Sequence, residues 1–188
     1  KDLKSNSIVG TSSYRREYQL KNRRSDLDYK LIRGNVDTRI KKMENGDYDA
    51  IILSKAGIDS LEINSKITEK FTTDELIPCA GQGIIAMQCR SSDLEIKQLL
   101  EKINNTHSRI CANAEREVLK ILEGDCDTAI GVFSNINGNN ISLSAELFSV
   151  DGKHRYLIKE TKEINFAKEL GREVGEKLKF QSKGSYKR

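Results

Sequence analysis

SIVGTSSYRR, residues 7–16, joins a short apolar run to a polar helical pattern through three small hydroxyl residues. Two more apolar runs, at residues 29–32 and 50–53, are each followed by a segment with helical periodicity. The periodicity predicts helices over residues 14–22, 36–44 and 55–61. Strands that alternate with helices at this spacing indicate right-handed crossovers and a mostly parallel sheet, in which ligands bind beyond the carboxyl ends of the strands.

The pattern changes in the second half of the chain, where helices and strands are grouped rather than alternating. The periodicity predicts helices over 94–102, 108–122 and 166–179, and strands over 130–135, 141–148 and 156–162. The turns between these strands contain Asn137-Gly138-Asn139-Asn140 and Asp151-Gly152, whose residues tolerate the positive φ of hairpins. This half predicts a small α+β domain with a three-stranded antiparallel sheet and helices. A further strand is predicted at 84–89, with no evident partner, and the tail 182–188 is predicted to be frayed.

The composition is typical of a globular protein, with 37% hydrophobic and 32% charged residues. The sequence contains no transmembrane span and no charged-then-apolar leader, so we expect a cytoplasmic protein with no membrane partner. The cysteines are widely spaced, without a Cys-x-x-Cys pair or a histidine cluster, which gives no support to a zinc or iron–sulfur site. They are Cys79, Cys89, Cys111 and Cys126.

Positive charge is concentrated between Thr11 and Lys42, where ten Lys or Arg residues stand against four Asp or Glu residues. A local field of this kind attracts nucleic acid, phosphate or a carboxylate-rich small molecule. Nucleic acid is the less favoured partner, because these arginines follow predicted strand ends and do not form one aromatic-lined face.

Two segments of this basic region have the pattern of an anion site. In Gly10–Arg16, amide N–H groups, hydroxyls and a helix N-terminus follow a predicted strand, and Arg15 and Arg16 add bidentate donors. Arg33–Arg39 repeats the arrangement after the next strand. Side by side, the two segments would face one cleft and suit a ligand with several carboxylates or phosphates. The alternative is that Ser13 merely caps its helix and the arginines are solvated.

Two other segments are less informative when taken alone. Gly81-Gln82-Gly83 lacks the further glycine or lysine of a nucleotide-binding loop, so it indicates only close passage of the backbone beside a ligand or another segment. Cys126 lies between Asp125 and Asp127, whose charges disfavour a thiolate and predict an inert thiol.

Taken in order, the motifs of the chain resemble those of the hydroxymethylbilane synthase (porphobilinogen deaminase) family, and their order and spacing match across nearly the whole sequence. The matching segments are residues 9–16, 33–39, 48–53, 56–57, 81–83, 114–116 and 123–126.

The resemblance implies a transferase of tetrapyrrole and heme biosynthesis that joins four porphobilinogen molecules head to tail into hydroxymethylbilane. The growing oligopyrrole is carried on a dipyrromethane cofactor, which would be attached here through a thioether to Cys126. The resemblance assigns the binding of the cofactor carboxylates to Ser13, Arg15, Arg16 and Arg39, with Thr11 and Gly57 beside them. It assigns the incoming substrate to Arg33, Arg39, Gln82 and Gly83.

The family fold implies a periplasmic-binding-protein-like parallel-sheet domain over residues 1–78 and an α+β domain over 94–188. Residues 79–93 would form a hinge and a strand belonging to a first domain that this sequence lacks. The family's proton-donating aspartate lies in that first domain, so no catalytic residue is assigned and we expect the chain to be inactive alone. We expect a monomer that its own N-terminal domain completes.

Two positions depart from the family pattern. Ser60 replaces a substrate-binding arginine, and Asp125 replaces the glycine before the cysteine. A different class of function also remains open, because periplasmic-binding-protein-like domains act as effector sensors as well. A non-catalytic anion-binding module of that kind would bind its ligand reversibly and leave Cys126 unmodified.

Overall fold

The first half of the chain folds around a small parallel sheet. A computed structural model describes residues 2–124 and 127–187 of the chain. Strands β1 (Ile8–Gly10), β2 (Asp28–Lys30) and β3 (Ala50–Ile51) form the sheet in the order β2-β1-β3, with every pair parallel. Helices α1 (Tyr14–Lys21), α2 (Val36–Glu44) and α3 (Lys55–Ser60) each follow a strand, and a 3-10 turn occupies Asn64–Lys66. The predicted alternation and parallel pairing are confirmed.

Local capping fixes where the first two helices begin. The Ser13 side chain accepts a hydrogen bond from the Arg16 amide, and the Asn35 side chain accepts one from Thr38 at 2.9 Å. Each cap satisfies an amide that has no partner within its helix. Loops of three and five residues therefore separate β1 from α1 and β2 from α2, which brings both arginine-containing segments to one edge of the sheet.

The second half forms a two-layer α+β unit. Strands β4 (Ile130–Asn137), β5 (Asn140–Phe148) and β6 (Arg155–Glu163) form an antiparallel sheet in that order. Helices α5 (Thr106–Leu122) and α6 (Ala167–Ser182), preceded by a 3-10 turn at Ile164–Phe166, pack on it. The core is built from fully buried aliphatic side chains of both layers: Val118, Leu122, Val132, Ile141, Leu143, Leu147, Leu170, Val174 and Leu178. The predicted antiparallel meander is confirmed.

Two local predictions are wrong. Residues 84–89 form no strand, and the Ile85 side chain is 88% exposed, because no strand in the described residues lies beside this segment to accept its backbone hydrogen bonds. The tail is not frayed over its described part. The Tyr186 ring is buried, and its hydroxyl donates to the Leu122 carbonyl at 2.9 Å.

Helix α4 (Leu94–Ile103) is amphipathic but buries no residue. Its apolar side chains Leu94, Ile96, Leu99 and Ile103 are exposed, as are Ile84, Ile85 and Met87 in the preceding segment. The apolar surface of residues 84–103 is therefore uncovered in the described part of the chain.

The two halves meet at the segment that leads out of the parallel-sheet unit. The Val132 amide of β4 donates to the Pro78 carbonyl at 2.7 Å. Tyr18 of α1 donates its hydroxyl to the Val150 carbonyl at 2.8 Å, and its ring lies edge-on to Phe148 with the centroids 5.8 Å apart. Helix α1 thus carries the first arginine-containing segment at its start and contacts the antiparallel-sheet unit through Tyr18.

Candidate anion-binding site

The two arginine-containing segments meet beyond the carboxyl ends of β1 and β2, as the sequence predicts. Arg39 of α2 donates from Nη1 to the Ser12 hydroxyl at 3.2 Å and from Nε to the Gly34 carbonyl at 2.7 Å. Thr11 is buried immediately after β1, and its hydroxyl accepts from the Ser13 amide at 3.3 Å. The edge of the cleft beyond β1 and β2 therefore brings together hydroxyl groups, helix N-termini and guanidinium groups.

Arg16 connects this edge to the third strand. Its Nη1 donates to the Ile52 carbonyl, one residue beyond β3, at 3.2 Å. Burial lowers the pKa of Arg16 from its ordinary value, and the charge of Arg39 lowers it further, while Cys79 acts in the opposite direction. Positive charges from α1 and α2 are thus close enough to repel one another.

Arg15 is the most enclosed of the basic groups, with only 7% of its surface exposed. Its Nη1 donates to the Ile77 carbonyl at 2.7 Å and its Nη2 to the Gln82 side-chain oxygen at 3.3 Å. Burial, and secondarily the charge of Arg16, lowers the pKa of Arg15 to about 10, so the group is still protonated at neutral pH.

No carboxylate of the described residues forms an ion pair with Arg15 or Arg16. The nearby Glu146 carboxylate partly offsets the effect of burial on the pKa of Arg15 but forms no ion pair with it. A buried cation that no carboxylate contacts directly loses hydration with little compensation. Since a guanidinium has five N–H donors and these two hydrogen bonds use two of them, Arg15 retains donors for an anion. The arrangement fits a ligand that brings several negative charges to the cleft.

Gln82 lies in a turn flanked by two glycines with positive φ, 72° at Gly81 and 87° at Gly83. Its side-chain oxygen accepts from the Cys79 amide and the Cys79 thiol, each at 3.3 Å, besides Arg15. Gln82 thus contacts Arg15 directly, whereas Gly83 is exposed beside it.

Gly57 and Arg33 lie further along the same edge. Gly57 is in the first turn of α3, where an added Cβ would meet Val36 at 3.3 Å. Arg33 is exposed, and its carbonyl accepts from Lys42 at 3.1 Å. Ser60 ends α3 with its hydroxyl donating to the Ala56 carbonyl at 2.9 Å.

Three groups at this site were missed by sequence reasoning. Gln19 and Glu115 are buried polar side chains that hold the segment from Ile77 to Gly83, and Cys79 is an exposed thiol close enough to Arg15 and Arg16 to interact with their charges. The spacing of Arg15 and Gln19 by one helical turn is the sequence signal that could have paired them. Glu115 falls in one of the matching family segments and had no role assigned.

The predicted attachment residue, Cys126, lies outside the described residues, as does Asp125. Within residues 2–124 and 127–187, no group of His, Cys, Asp or Glu side chains is arranged to hold a metal ion. Over the same residues, no helix has the length and apolar character needed to cross a membrane.

Comparison with known sequences matches two family models to successive parts of the chain. Residues 1–98 match the family model described as "Porphobilinogen deaminase, dipyromethane cofactor binding domain". Residues 109–180 match the model described as "Porphobilinogen deaminase, C-terminal domain". The first match contains the arginine-rich edge, and the second contains α5 and the antiparallel sheet.

Curated relatives show the same similarity. The chain is 40% identical over 177 residues to a probable porphobilinogen deaminase of Nitrosopumilus maritimus, covering 94% of this chain and 57% of that protein. It is 44% identical over 153 residues to the porphobilinogen deaminase of Francisella philomiragia, covering 81% and 51%. It is 41% identical over 182 residues to that of Staphylococcus carnosus, covering 96% and 58%. The chain thus spans about half the length of the curated relatives it matches.

Proposed function

Because the chain belongs to the porphobilinogen deaminase family, we propose that it serves tetrapyrrole biosynthesis as part of a transferase that polymerises porphobilinogen into hydroxymethylbilane. The observation that carries this proposal is the buried, protonated Arg15, which lies beside Arg16 and forms no ion pair with a carboxylate of the described residues. A pyrrole chain substituted with acetate and propionate groups would supply that partner.

The residues present fit the family's dipyrromethane cofactor. The hydroxyls of Thr11 and Ser13 and the guanidinium groups of Arg15, Arg16 and Arg39 would hold its carboxylates, with Gly57 beside them. When bound through Cys126, the cofactor supplies the free pyrrole end to which porphobilinogen units are added. Hydrogen-bond donors that are already fixed in the fold would neutralise these carboxylates and hold the pyrrole chain in one position. Because the donors are preorganised, no solvent has to reorganise around the bound charges during the reaction.

We assign the incoming substrate to the outer part of the same edge. Arg33 is exposed and able to meet a carboxylate that arrives from solvent, while Arg39 bridges the two positions through Ser12. Gln82 and Gly83 would line the cleft at its other side. Ser60 offers a short hydroxyl, already bonded within α3, where relatives have an arginine, so one carboxylate contact would be supplied elsewhere.

The division of the chain is part of the proposal. Residues 1–78 would act as a periplasmic-binding-protein-like domain, 79–93 as a hinge and 94–188 as the domain that carries the cysteine. No residue of this sequence matches the aspartate that protonates the leaving group in the family. We therefore propose that the chain alone does not complete the reaction, and that the full protein acts as a cytoplasmic monomer.

The experiment that tests the proposal is the intact mass of the full-length protein that contains this sequence. We expect an excess equal to one dipyrromethane, mapped by peptide mass to Cys126. Cys126→Ser should lose the excess, and Cys79→Ser, which changes the thiol beside Arg15 and Arg16, should retain it. An unmodified wild-type mass would contradict the proposal and leave the non-catalytic anion-binding module, which family membership does not favour, as the alternative.

A further inference from the structure

A short segment, Ile77–Gly83, links the two halves of the molecule and supplies both contacts that orient Arg15. One is the Ile77 carbonyl and the other is the Gln82 side chain. The direction of the Arg15 guanidinium therefore depends on where this segment lies. Two buried polar side chains, one from each half, hold it.

Gln19 of α1 holds the first end. Its Oε1 accepts from the Ile77 amide at 2.7 Å and its Nε2 donates to the Ile77 carbonyl at 2.9 Å. The side chain pairs with both backbone groups of one residue, as a neighbouring strand would, and only 3% of the residue is exposed. The Ile77 carbonyl that Gln19 fixes is the one that also accepts from Arg15.

Glu115 of α5 holds the second end. Its Oε2 accepts from the Gly81 amide at 2.7 Å, and its Oε1 accepts from the Ser134 amide and hydroxyl at 2.8 Å and 2.9 Å. The residue is 4% exposed, and all three donors are neutral. A buried carboxylate bonded only to neutral donors is costly to desolvate, so simple stability is a poor reason for its presence.

We propose that Gln19 and Glu115 are positioning residues for the anion site: by fixing Ile77 and Gly81, they orient the Arg15 guanidinium towards the ligand carboxylate. The inference deepens the proposed function and rests on its premise that Arg15 binds a carboxylate. It assigns to the antiparallel-sheet unit, through Glu115, a part in ligand binding on the other half of the chain.

The variants follow from the hydrogen-bond pattern. Glu115→Gln has one acceptor oxygen and one NH₂ group, so if its oxygen keeps the two Ser134 bonds, its NH₂ faces the Gly81 N–H donor. Gln19→Met keeps an unbranched side chain and loses both bonds to Ile77. Ser134→Ala is the matched control, because it removes a bond to the same carboxylate without changing the Gly81 contact. Gln82 is exposed, so Gln82→Ala should fold even if the buried variants do not, and it removes one of the two hydrogen bonds that the segment accepts from Arg15.

The first measurement needs no ligand. Amide hydrogen exchange should accelerate at Gly81 in Glu115→Gln and at Ile77 in Gln19→Met, and should stay near the wild-type rate at Gly81 in Ser134→Ala. Equal exchange at Gly81 in Glu115→Gln and wild type would overturn the inference.

The second measurement is calorimetric titration of the chain with tricarballylate, a simple tricarboxylate, and with porphobilinogen. Gln19→Met, Glu115→Gln and Gln82→Ala should each weaken tricarballylate binding roughly tenfold in the wild-type background and by less than about twofold in an Arg15→Lys background. In an Arg39→Lys background the loss should remain roughly tenfold. If Gln19, Glu115 and Gln82 had a purely structural role, their variants would weaken binding equally in the Arg15→Lys and Arg39→Lys backgrounds.

Each outcome decides something. Equal losses in the Arg15→Lys and Arg39→Lys backgrounds, a loss in Ser134→Ala as large as that in Glu115→Gln, or no tricarballylate binding to the wild-type chain would overturn the inference. If the effects of the variants on tricarballylate binding depend on Arg15 but porphobilinogen does not bind, the positioning roles stand and the proposed function is contradicted instead.

Discussion

Arg15 combines a positive charge with burial, and that combination links ligand binding to pH. Because burial lowers its pKa to about 10 in the folded protein, the unfolded chain binds more protons above that pH. Arg15 therefore opposes folding below about pH 10, and this penalty fades as the pH rises through the folded pKa. A bound anion offsets the penalty only while Arg15 is protonated.

We predict that tricarballylate at about a hundred times its Kd raises the Tm of the chain by roughly 5–10 °C at pH 7.5. The increase should shrink as the pH approaches about 10, where Arg15 loses its proton. Arg15→Met should show little ligand-induced increase at any pH. Differential scanning fluorimetry across this pH range makes the comparison, and an undiminished increase in Arg15→Met would show that the anion binds elsewhere.

Cys79 offers a second test at the scale of single residues. It is exposed and lies close enough to Arg15 and Arg16 to interact with their charges. A carboxylate ligand on these arginines should therefore slow alkylation of Cys79 by iodoacetamide several-fold, while the half-buried Cys111 serves as the internal control. Peptide mass spectrometry measures both rates, and parallel slowing of the two thiols would contradict the location of the site.

Sequence pattern predicted which arginines lie at the strand ends, but not how they are held. The Ser13 and Asn35 caps follow from local rules, since each residue precedes a helical pattern. The contact between Arg15 and Ile77 joins residues 62 positions apart, and Glu115 binds a turn in the segment that links the two halves. Such pairings depend on tertiary packing, which residue type and spacing do not specify.

At the scale of helices and strands, the packing of α5 on α6 is the most constrained contact. A Cβ added at Gly171 would overlap the backbone carbonyl of Ala114, whereas one added at Gly175 would meet the Ile121 side chain at 2.9 Å. Both glycines lie in α6, so replacement by alanine gives both sites the same intrinsic gain in helix propensity.

We predict that Gly171→Ala lowers the free energy of unfolding by roughly 2 kcal/mol or more, because two helix backbones must move apart. Gly175→Ala should cost less, because its Cβ would meet the Ile121 Cβ at 2.9 Å, whereas the Cβ at Gly171 would overlap the Ala114 carbonyl oxygen. Urea denaturation followed by circular dichroism provides both values. An equal cost for the two variants would indicate that the helices are not in backbone contact at Ala114.

Secondary structure was predictable wherever a segment pairs or packs with a near neighbour in sequence. The β4–β5 hairpin closes through Gly138 with φ 60°, as the Asn-Gly-Asn-Asn sequence predicts. The predictions that failed depended on distant partners. Residues 84–89 have the composition of a strand without a strand beside them, and the tail is ordered by the Tyr186 hydroxyl bond to Leu122.

At the scale of the whole molecule, the buried polar contacts between the two halves cluster around the linking segment Ile77–Gly83. Gly131 of β4 passes so close to the linking segment that an added Cβ would lie 2.7 Å from the Ile77 carbonyl oxygen and 3.0 Å from Gln19 Nε2. The absence of a side chain at Gly131 therefore permits the contact between Pro78 and Val132.

We predict that Gly131→Ala lowers the free energy of unfolding by roughly 1–3 kcal/mol and separates the unfolding of the two halves. Hydrogen exchange in increasing urea should then show residues 8–58 losing protection before residues 130–178. Gly124→Ala, whose Cβ would have only ordinary contacts of 3.4 Å and longer, is the control and should keep a single transition. A single transition in Gly131→Ala as well would mean that other contacts couple the halves.

The hydrogen bond from Val132 to Pro78 has a consequence for solubility. Strand β4 is an edge strand, paired with β5 on one side only. The free backbone groups of an edge strand pair with strands of other molecules unless the edge is covered. The linking segment covers it at Val132, and Pro78 has no N–H with which to extend the ladder further. A fragment that begins at residue 94 lacks this segment and would leave the β4 edge exposed. We therefore expect the separated C-terminal half to aggregate, so the segment that orients Arg15 also protects the sheet from edge-to-edge pairing.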